Sequence, residues 1–359
     1  AVRAAGHDVV VAAPESFAAV VERAGFVHRP FADAPPDELE AVFASLSGVS
    51  NDEGNVIVVR DVFGRIDSRA ALPGMEAVVR EWRPDLILRE SSELSSYIVA
   101  AKAGIPHVQV AVGLAFFDQL ALSLLEEPLG ELGAEPGLED LRSALRLTLV
   151  PESLDDPPAP DADVRRFRYP SGSGDESLPD WWPDSPAPLL YVTFGSVAGR
   201  LGLFPGLYRA VVAALADLPV RVLLTVGDAG DPDVIAPTPA NVHVERWWPQ
   251  EAVMPHATAM VGHGGFGTTL LGLASGVPMV VMPLFADQPH NARRVAAAGA
   301  GISLEDGEAA VEGLSEAVRR VLEEESYRLA ATRIAAEMAG LPSPSQAVLL
   351  LEKVAGQAG

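Results

Sequence analysis

The sequence predicts an α/β protein built from two doubly wound domains, each with a parallel sheet covered by helices. Its 359 residues exceed what a single compact core usually accommodates. Short β-branched runs alternate with Ala-rich amphipathic stretches, which is the pattern of buried parallel strands joined by helices. A segment dense in Pro, Gly, Ser and Asp divides this alternation into two series, so we expect two Rossmann-like domains in tandem.

The amino-acid composition limits the kinds of molecule that this protein is expected to bind. With 48% hydrophobic and 21% charged residues the chain is typical of a globular protein. A net charge of −23 repels phosphate backbones and anionic lipid, so we expect no nucleic-acid and no membrane partner. No apolar run is as long as a membrane span, no stretch reads as a signal peptide, and the absence of cysteine fits a reducing compartment. We therefore expect a cytoplasmic protein.

The first series, residues 1–167, has an unusual opening. Residues 1–6 resemble the end of a helix that turns at Gly6 into a strand. Because an α/β domain normally begins with a strand, we expect either a first strand and loop upstream of this sequence or a fold that tolerates their loss. We predict strands at 84–90, 106–113 and 146–150. We predict helices at 68–82 and 92–104, and leave open whether the first of them is broken at Pro73. Residues 32–55 are expected to form a loop with a short helix.

The second series occupies residues 189–341. Residues 168–188 are too rich in Pro, Gly and Ser for a helix or a central strand, and they predict an interdomain connector. A last helix lies in residues 342–359, after two prolines. Within the series we predict strands at 189–196, 220–227, 241–247, 258–265, 278–284 and 300–304, with helices between them.

The segment HGGFGT, from His263 to Thr268, predicts an anion site between a strand and a helix. Gly264 and Gly265 allow positive φ and a close approach of a ligand to the backbone. The next helix would direct its free N–H groups and positive dipole end at this turn, which suits phosphate. His263 and Thr268 add side-chain donors. A plain tight turn remains the alternative, since glycines alone carry little specificity.

A carboxylate and an amide, Asp287 and Gln288, follow the next predicted strand. Parallel strands end at the same edge of a sheet, so this pair should lie near the glycine turn. Asp accepts hydrogen bonds and Gln both donates and accepts them, which suits hydroxyl recognition. Alternatively, Asp287 caps a helix and Gln288 is a solvated first-turn residue.

Two tryptophans close another strand at the same predicted edge. An exposed Trp in RWWPQ is able to stack on a nucleobase, while core packing is the alternative for one of the pair. The turn TFGS, which ends at Ser196, is suited to face a diphosphate across the crevice. Together these segments predict a nucleotide-sugar site.

Three motifs in this order and spacing resemble the GT-B glycosyltransferases of the large family 1, especially bacterial enzymes that glycosylate antibiotics and other natural products. They are WWPQ at 247–250, HGGFGT at 263–268 and DQPHNA at 287–292. The resemblance implies two Rossmann-like domains facing a cleft, with the C-terminal helix crossing back to the first domain. It also implies transfer of a sugar from a nucleoside diphosphate to an acceptor, with inversion and without a metal ion or other cofactor.

The resemblance also implies donor-binding roles. Trp247 stacks on the base, Trp248 and Gln250 line the base and ribose pocket, and Asp287 with Gln288 binds sugar hydroxyls. The residues implied for the diphosphate are Ser196, His263, Gly264, Gly265, Gly267 and Thr268.

Two departures from the family pattern have consequences. Many UDP-sugar members have a Glu eight residues after the motif His, bound to ribose hydroxyls, where this chain has Leu271. Leucine accepts no hydrogen bond, and leaving a buried 2′-hydroxyl unpaired costs about 1–3 kcal/mol. Deoxythymidine has no such hydroxyl, so we expect a dTDP-sugar donor over a UDP-sugar.

The second departure concerns the general base. The family uses a His in the loop after the first strand, and this sequence contains neither that loop nor an equivalent His, because His7 follows a helix. Glu90 matches the acid that orients such a His. If the chain functions without that His, the alternative is a catalytically inactive, nucleotide-binding auxiliary protein of a glycosyltransferase pair.

Acceptor contacts are expected from the first domain. An apolar, aromatic-lined cleft would suit a small hydrophobic aglycone. A homodimer is left open. The candidates are Gln109, Val112, Phe116 and Phe117, with core packing as the alternative for the two phenylalanines.

Overall fold

A computed structural model describes residues 1–156, 162–170, 178–182, 185–228, 230–305 and 310–356. The chain divides into two compact units. The first unit comprises Ala1–Leu149, Asp156–Phe167 and Pro342–Gly359, and the second comprises Val150–Asp155 and Arg168–Leu341. Parts of the predicted connector, at 171–177 and 183–184, lie outside the described residues.

The first unit is α/β with parallel pairing throughout its described strands. The strands form a two-stranded sheet, β1-β2, and a four-stranded sheet, β3-β4-β5-β6. Its strands are β1 (Val10–Pro14), β2 (Val27–Phe31), β3 (Ile87–Glu90), β4 (His107–Val110), β5 (Leu145–Thr148) and β6 (Val164–Arg166). Its helices are α1 (Ala18–Arg23), α2 (Pro36–Ser45), α3 (Asn51–Ile57), α4 (Ser68–Trp82), α5 (Ser95–Ala103), α6 (Ala115–Leu124), α7 (Glu126–Glu131), α8 (Glu139–Ser143) and α16 (Ala347–Ala355).

Helix α4 spans the predicted residues 68–82, and Pro73, where a break was left open, does not interrupt it. A proline inside a helix removes one backbone hydrogen bond. Here the neighbouring residues Ala71 and Met75 are buried in a core cluster with Phe31, and this packing offsets the loss. A π-helical segment, Val58–Asp67, joins α3 to α4 over a stretch to which the sequence analysis assigned no element.

The C-terminal helix packs on the four-stranded sheet of the first unit. Ala347 and Leu351, one turn apart on α16, share a buried cluster with Val108, Leu145 and Leu147. Strand β6 was not predicted from the sequence; it is three residues long and half-exposed, which leaves little periodicity to detect.

The second unit contains one six-stranded parallel sheet in the order β12-β11-β10-β7-β8-β9. Its strands are β7 (Leu189–Thr193), β8 (Arg221–Thr225), β9 (Val242–Glu245), β10 (Ala257–Gly262), β11 (Met279–Val281) and β12 (Gly301–Ser303). Its helices are α9 (Gly206–Leu215), α10 (Pro232–Ile235), α11 (Gln250–Val253), α12 (Phe266–Ala274), α13 (Gln288–Ala297), α14 (Val311–Glu323) and α15 (Glu325–Gly340).

The core of the second unit is formed by every second residue along its strands. Leu190 and Val192 of β7 and Val222 and Leu224 of β8 face one side, where they form a buried cluster with residues of α9 and α14. This arrangement leaves the carboxyl ends of the strands as the edge at which side chains are free to meet a ligand.

Candidate functional site

The second unit has its topological switch point between β7 and β10. The chain proceeds from β7 outward to β8 and β9, and then returns to place β10 on the other side. Thr193 and Gly262 are paired at the carboxyl ends of these two strands. Ligands of doubly wound sheets bind in the crevice at such a point.

A cavity of about 420 Å³ opens at this switch point. Nine predicted donor-site residues line it, so the structure brings together segments that are up to 92 positions apart (196 to 288). Gly264 and Asp287 are not among the residues that line it. The nine are Ser196, Trp247, Trp248, Gln250, His263, Gly265, Gly267, Thr268 and Gln288.

The glycine turn lies between the end of β10 and the start of α12. Gly264 has a φ of 84°, a conformation that favours glycine. Gly265 is the N-cap of α12, and a Cβ atom there would collide with Nε2 of His263. The tight turn therefore places the imidazole next to the free N–H groups of the helix. This is the anion-binding geometry that the sequence predicts.

His263 enters this turn as a neutral imidazole. It is buried, and burial lowers its pKa to about 4, although the carbonyl of Thr193 acts in the opposite direction. Near neutral pH the ring therefore contributes one N–H donor and no positive charge. Any attraction of this turn for an anion comes from that donor and the helix N-terminus.

The loop between β11 and α13 carries the predicted hydroxyl-binding pair. Gln288 is buried rather than solvated, and its Oε1 accepts hydrogen bonds from the N–H groups of Leu284 (2.9 Å) and Phe285 (3.1 Å). Its two amide hydrogens are the donors it has left. Asp287 is the N-cap residue of α13 but its side chain makes no capping bond.

Asp287 instead bonds to a residue that the sequence reasoning had not assigned. Its Oδ2 accepts a hydrogen bond from Nδ2 of Asn291 at 2.8 Å. Burial raises the pKa of Asp287, and the bond from Asn291 opposes that change. Asn291 lies within the quoted DQPHNA motif, so its position in that motif was the available signal.

As expected, one of the two tryptophans is exposed and the other packs against neighbouring side chains. Trp247 is 62% exposed at the cavity, whereas Trp248 is half-buried with its ring 5.0 Å from that of Trp181. Trp181 in turn stacks on His243 of β9 at 4.5 Å. Thus a residue of the predicted connector supports one wall of the cavity.

Several residues that line the cavity escaped the sequence analysis. The hydroxyls of Tyr191 and Thr225 are 3.1 Å apart on neighbouring strands. From the sequence, their positions within strands are typical of core residues. Only the order of the strands in the sheet shows that they line the cavity. The other lining residues are Val197, Gly227, Asp228 and Phe285, together with Thr193, Gly195, Arg246 and Phe266, which lie in the predicted site motifs but were not assigned individually.

Leu271, the residue on which the choice of donor depends, lies on α12. It is 9% exposed and is not among the residues that line the cavity.

In the first unit, Glu90 ends β3 at the carboxyl edge of the four-stranded sheet. Its Oε1 accepts a hydrogen bond from the N–H of Ser92 at 2.9 Å. Burial raises the pKa of Glu90, Glu93 raises it further, and the Ser92 bond opposes both. A half-buried carboxylate with a raised pKa suits a role beside a proton-transferring group.

The predicted acceptor residues have different environments. Gln109 is buried, with Oε1 bonded to Nη2 of Arg89 (2.9 Å) and Nε2 bonded to Oγ of Ser91 (3.0 Å). Phe117 packs against a buried cluster, whereas Phe116 and Val112 are more than a third exposed. Gln109 is thus occupied within the unit, because both ends of its buried amide already have partners.

The described part of the chain has neither a metal-binding cluster nor a membrane-spanning helix. No group of three or more His, Asp or Glu residues there has the arrangement of a metal site. No helix in those residue ranges is long and apolar enough to cross a membrane.

Comparisons with known proteins agree with this fold. The two-domain α/β architecture is that of the GT-B glycosyltransferases, and the protein is a glycosyltransferase of the hexosyl or deoxysugar type. More particularly, the chain belongs to the erythromycin biosynthesis protein CIII-like family. The N-terminal domain of that family matches residues 1–195 and its C-terminal domain matches residues 209–354.

Individual relatives are similar over nearly the whole chain. Aklavinone 7-beta-L-rhodosaminyltransferase of Streptomyces galilaeus is 30% identical over 99% of this chain and 91% of its own. L-demethylnoviosyl transferase of Streptomyces niveus is 32% identical over 96% and 90%. The glycosyltransferase SsfS6 of Streptomyces sp. SF2575, solved with thymidine diphosphate, is 30% identical over 98% and 93%, with a TM-score of 0.75. These names give no support to an inactive auxiliary protein.

Proposed function

We propose that this glycosyltransferase moves a deoxysugar from a dTDP-sugar to a hydroxyl group of a natural-product aglycone, with inversion at the sugar. The observation that carries the proposal is the cavity of the second unit, where an exposed Trp, a neutral His and a free helix N-terminus converge. The Trp matches a base, and the His together with the helix N-terminus matches a diphosphate.

Trp247 would stack on the base, with Trp248 and Gln250 beside the base and ribose. The diphosphate would lie on the glycine turn, bonded by His263 and the N–H groups at the start of α12, with Ser196 opposite. Asp287 and Gln288 would bind sugar hydroxyls as acceptor and donor. Hydrogen bonds and the helix dipole supply the binding energy for the diphosphate, so no metal ion is required.

The choice of thymidine over uridine rests on Leu271. A leucine in place of a carboxylate offers the ribose 2′-hydroxyl no partner. Leu271 does not line the cavity, so this choice depends on the position of the residue in the family motif and not on a contact in the structure. The relative SsfS6 was solved with thymidine diphosphate, which agrees with this choice. Relatives named as rhodosaminyl, mycarosyl and desosaminyl transferases support a deoxysugar and an antibiotic-type acceptor.

Glu90 would orient and charge-balance the His base that the family resemblance implies for taking the proton of the acceptor hydroxyl, a residue that this sequence does not contain. Inversion follows if that hydroxyl attacks the sugar carbon directly, because no enzyme-bound sugar then forms. Exposed apolar side chains at Val112 and Phe116 are the candidate contacts for the aglycone.

Calorimetric titration with TDP and with UDP tests the donor assignment. We expect TDP to bind the intact protein about tenfold more tightly, from the cost of one unpaired hydroxyl. The variant Leu271→Glu should move the preference toward UDP. Equal or tighter binding of UDP by the unmodified chain would contradict the assignment.

A further inference from the structure

Asn291 joins the two loops of the donor cavity. Its Nδ2 donates one hydrogen bond to the carbonyl of Gly264 (2.9 Å) and another to Oδ2 of Asp287 (2.8 Å). Gly264 belongs to the glycine turn, 263–267, and Asp287 to the loop that precedes α13. One amide group therefore connects segments more than twenty residues apart.

The same contact is tight on the backbone side. A Cβ atom at Gly264 would come within 2.8 Å of Cγ1 of Val281 and 3.0 Å of the carbonyl oxygen of Gln288. The turn thus rests directly on the first turn of α13, with no room for a side chain between them. A movement of either loop would be transmitted to the other.

The side chain of Asn291 is specialised for this connection. It is 4% exposed, and its Oδ1 is buried without a hydrogen-bond partner among the described residues. Burying an unpaired carbonyl is unfavourable, and an apolar side chain of similar size would avoid that cost. The NH2 end, with its two bonds, is therefore the part that the site uses.

We infer that Asn291 is a positioning residue that couples the diphosphate-binding turn to the sugar-binding carboxylate. The inference rests on the proposed function for the identity of the two ligand groups, whereas the coupling of the loops stands on the geometry alone. A donor whose phosphates fix the turn would then find Asp287 already aimed at its sugar, which reduces the cost of ordering on binding.

The variant Asn291→Asp tests the coupling, because it keeps the shape and replaces the NH2 donor by an acceptor. Asn241→Asp is the matched control. Asn241 likewise uses Nδ2 for two hydrogen bonds, in its case to the carbonyls of Leu215 (3.1 Å) and Leu218 (3.3 Å), but it precedes β9 at the opposite edge of the sheet.

Amide hydrogen exchange in the absence of ligand is the first measurement. We expect exchange over residues 264–268 to become at least about tenfold faster in Asn291→Asp and to stay unchanged in Asn241→Asp, since local protection depends on local contacts. If Asn291→Asp does not fold, Asn291→Ala is measured instead. Unchanged exchange in the Asn291 variant, or an equal increase in the control, would overturn the coupling.

Binding of dTDP-glucose in a double-mutant cycle is the second measurement. We expect Asn291→Asp and Asp287→Ala each to weaken binding about 10- to 100-fold, and the double variant to bind within about threefold of the weaker single variant. Losses that multiply would show independent residues and refute the inference. If the unmodified protein binds neither TDP nor dTDP-glucose, the proposed donor is wrong, while the exchange result still decides the coupling.

Discussion

The two units use their polar residues in opposite ways. In the second unit they gather at the carboxyl edge of a continuous six-stranded sheet and line a cavity. In the first unit the sheet is divided into two and four strands, and Leu88 (44%) and Val110 (39%) are exposed on the larger part. Related architectures thus yield a cavity lined by polar residues in one unit and an internal polar network in the other.

That network occupies the interior of the first unit. Arg146 forms a buried ion pair with Asp118 and donates to the carbonyl of Gly113 at 3.0 Å, while Arg89 bonds to Gln109. Buried charges need such partners, because an unpaired one is very unfavourable. A polar residue at a strand end therefore indicates a ligand site only when it is not already hydrogen-bonded to its neighbours.

The largest effect is expected from a variant that breaks the internal network of the first unit. Arg146→Met removes the main partner of the buried Asp118 carboxylate, which keeps only its smaller interactions with Ser91 and Arg89. We expect a loss of about 3–5 kcal/mol in the free energy of unfolding, measured with urea. The control is Arg165→Met on β6, whose partner Asp163 is about half-exposed, with an expected loss below about 1 kcal/mol. Equal losses would mean that the Arg146 pair is not buried.

The next effect concerns the cavity of the second unit. Gly265→Ala places a methyl group against Nε2 of His263 and should displace the ring. We expect kcat/KM for sugar transfer to fall about 100-fold, the usual consequence of losing one aligned donor. Gly340→Ala, where nothing lies within 4 Å of the new methyl group, should retain full activity. Full activity of Gly265→Ala would contradict the role of the imidazole.

A smaller effect is expected from the exposed tryptophan. Trp247→Ala should weaken TDP binding by about 1–3 kcal/mol, the value of one base stacked on an aromatic ring. Thermal stability should hardly change, because the side chain is mostly exposed. Trp82→Ala in the first unit serves as the control, and calorimetry should find its TDP affinity unaltered. A binding loss shared by both variants would argue against stacking.

The smallest effect is a pH dependence that the two units share. Burial lowers the pKa of His107 in the first unit and of His263 in the second to about 4, with Arg89 also lowering that of His107. Since the unfolded rings titrate near 6.5, their contribution to stability is complete above that pH and is lost as the pH falls toward 4.

The variants His107→Gln and His263→Gln should therefore each lose less stability than the unmodified chain between pH 7 and pH 5. Urea unfolding at the two pH values measures the difference. Comparison with the parent chain cancels Glu90, Asp118 and Asp287, carboxyls whose raised pKa values act in the opposite direction. A pH dependence identical to that of the parent would show that the histidines are not buried in neutral form.

Much of the fold was predictable because its signals are local. The alternation of strands and helices, the glycine turn after His263 and the helix that follows it are properties of contiguous residues. The GT-B architecture was predicted on three motifs and is confirmed by the structure and its relatives. The sequence left open whether helix α4 continues through Pro73, because that depends on what the neighbouring residues pack against.

The sequence by itself determined which segments are strands and helices and which residue types gather at the strand ends. Only the tertiary structure decided which of them are available to a ligand. Thr193 and Thr225 became part of the cavity and Gln109 was bound internally, although all three lie on strands. Strand order places side chains together across long stretches of chain, and periodicity, being local, carries no record of which distant partner each group will meet.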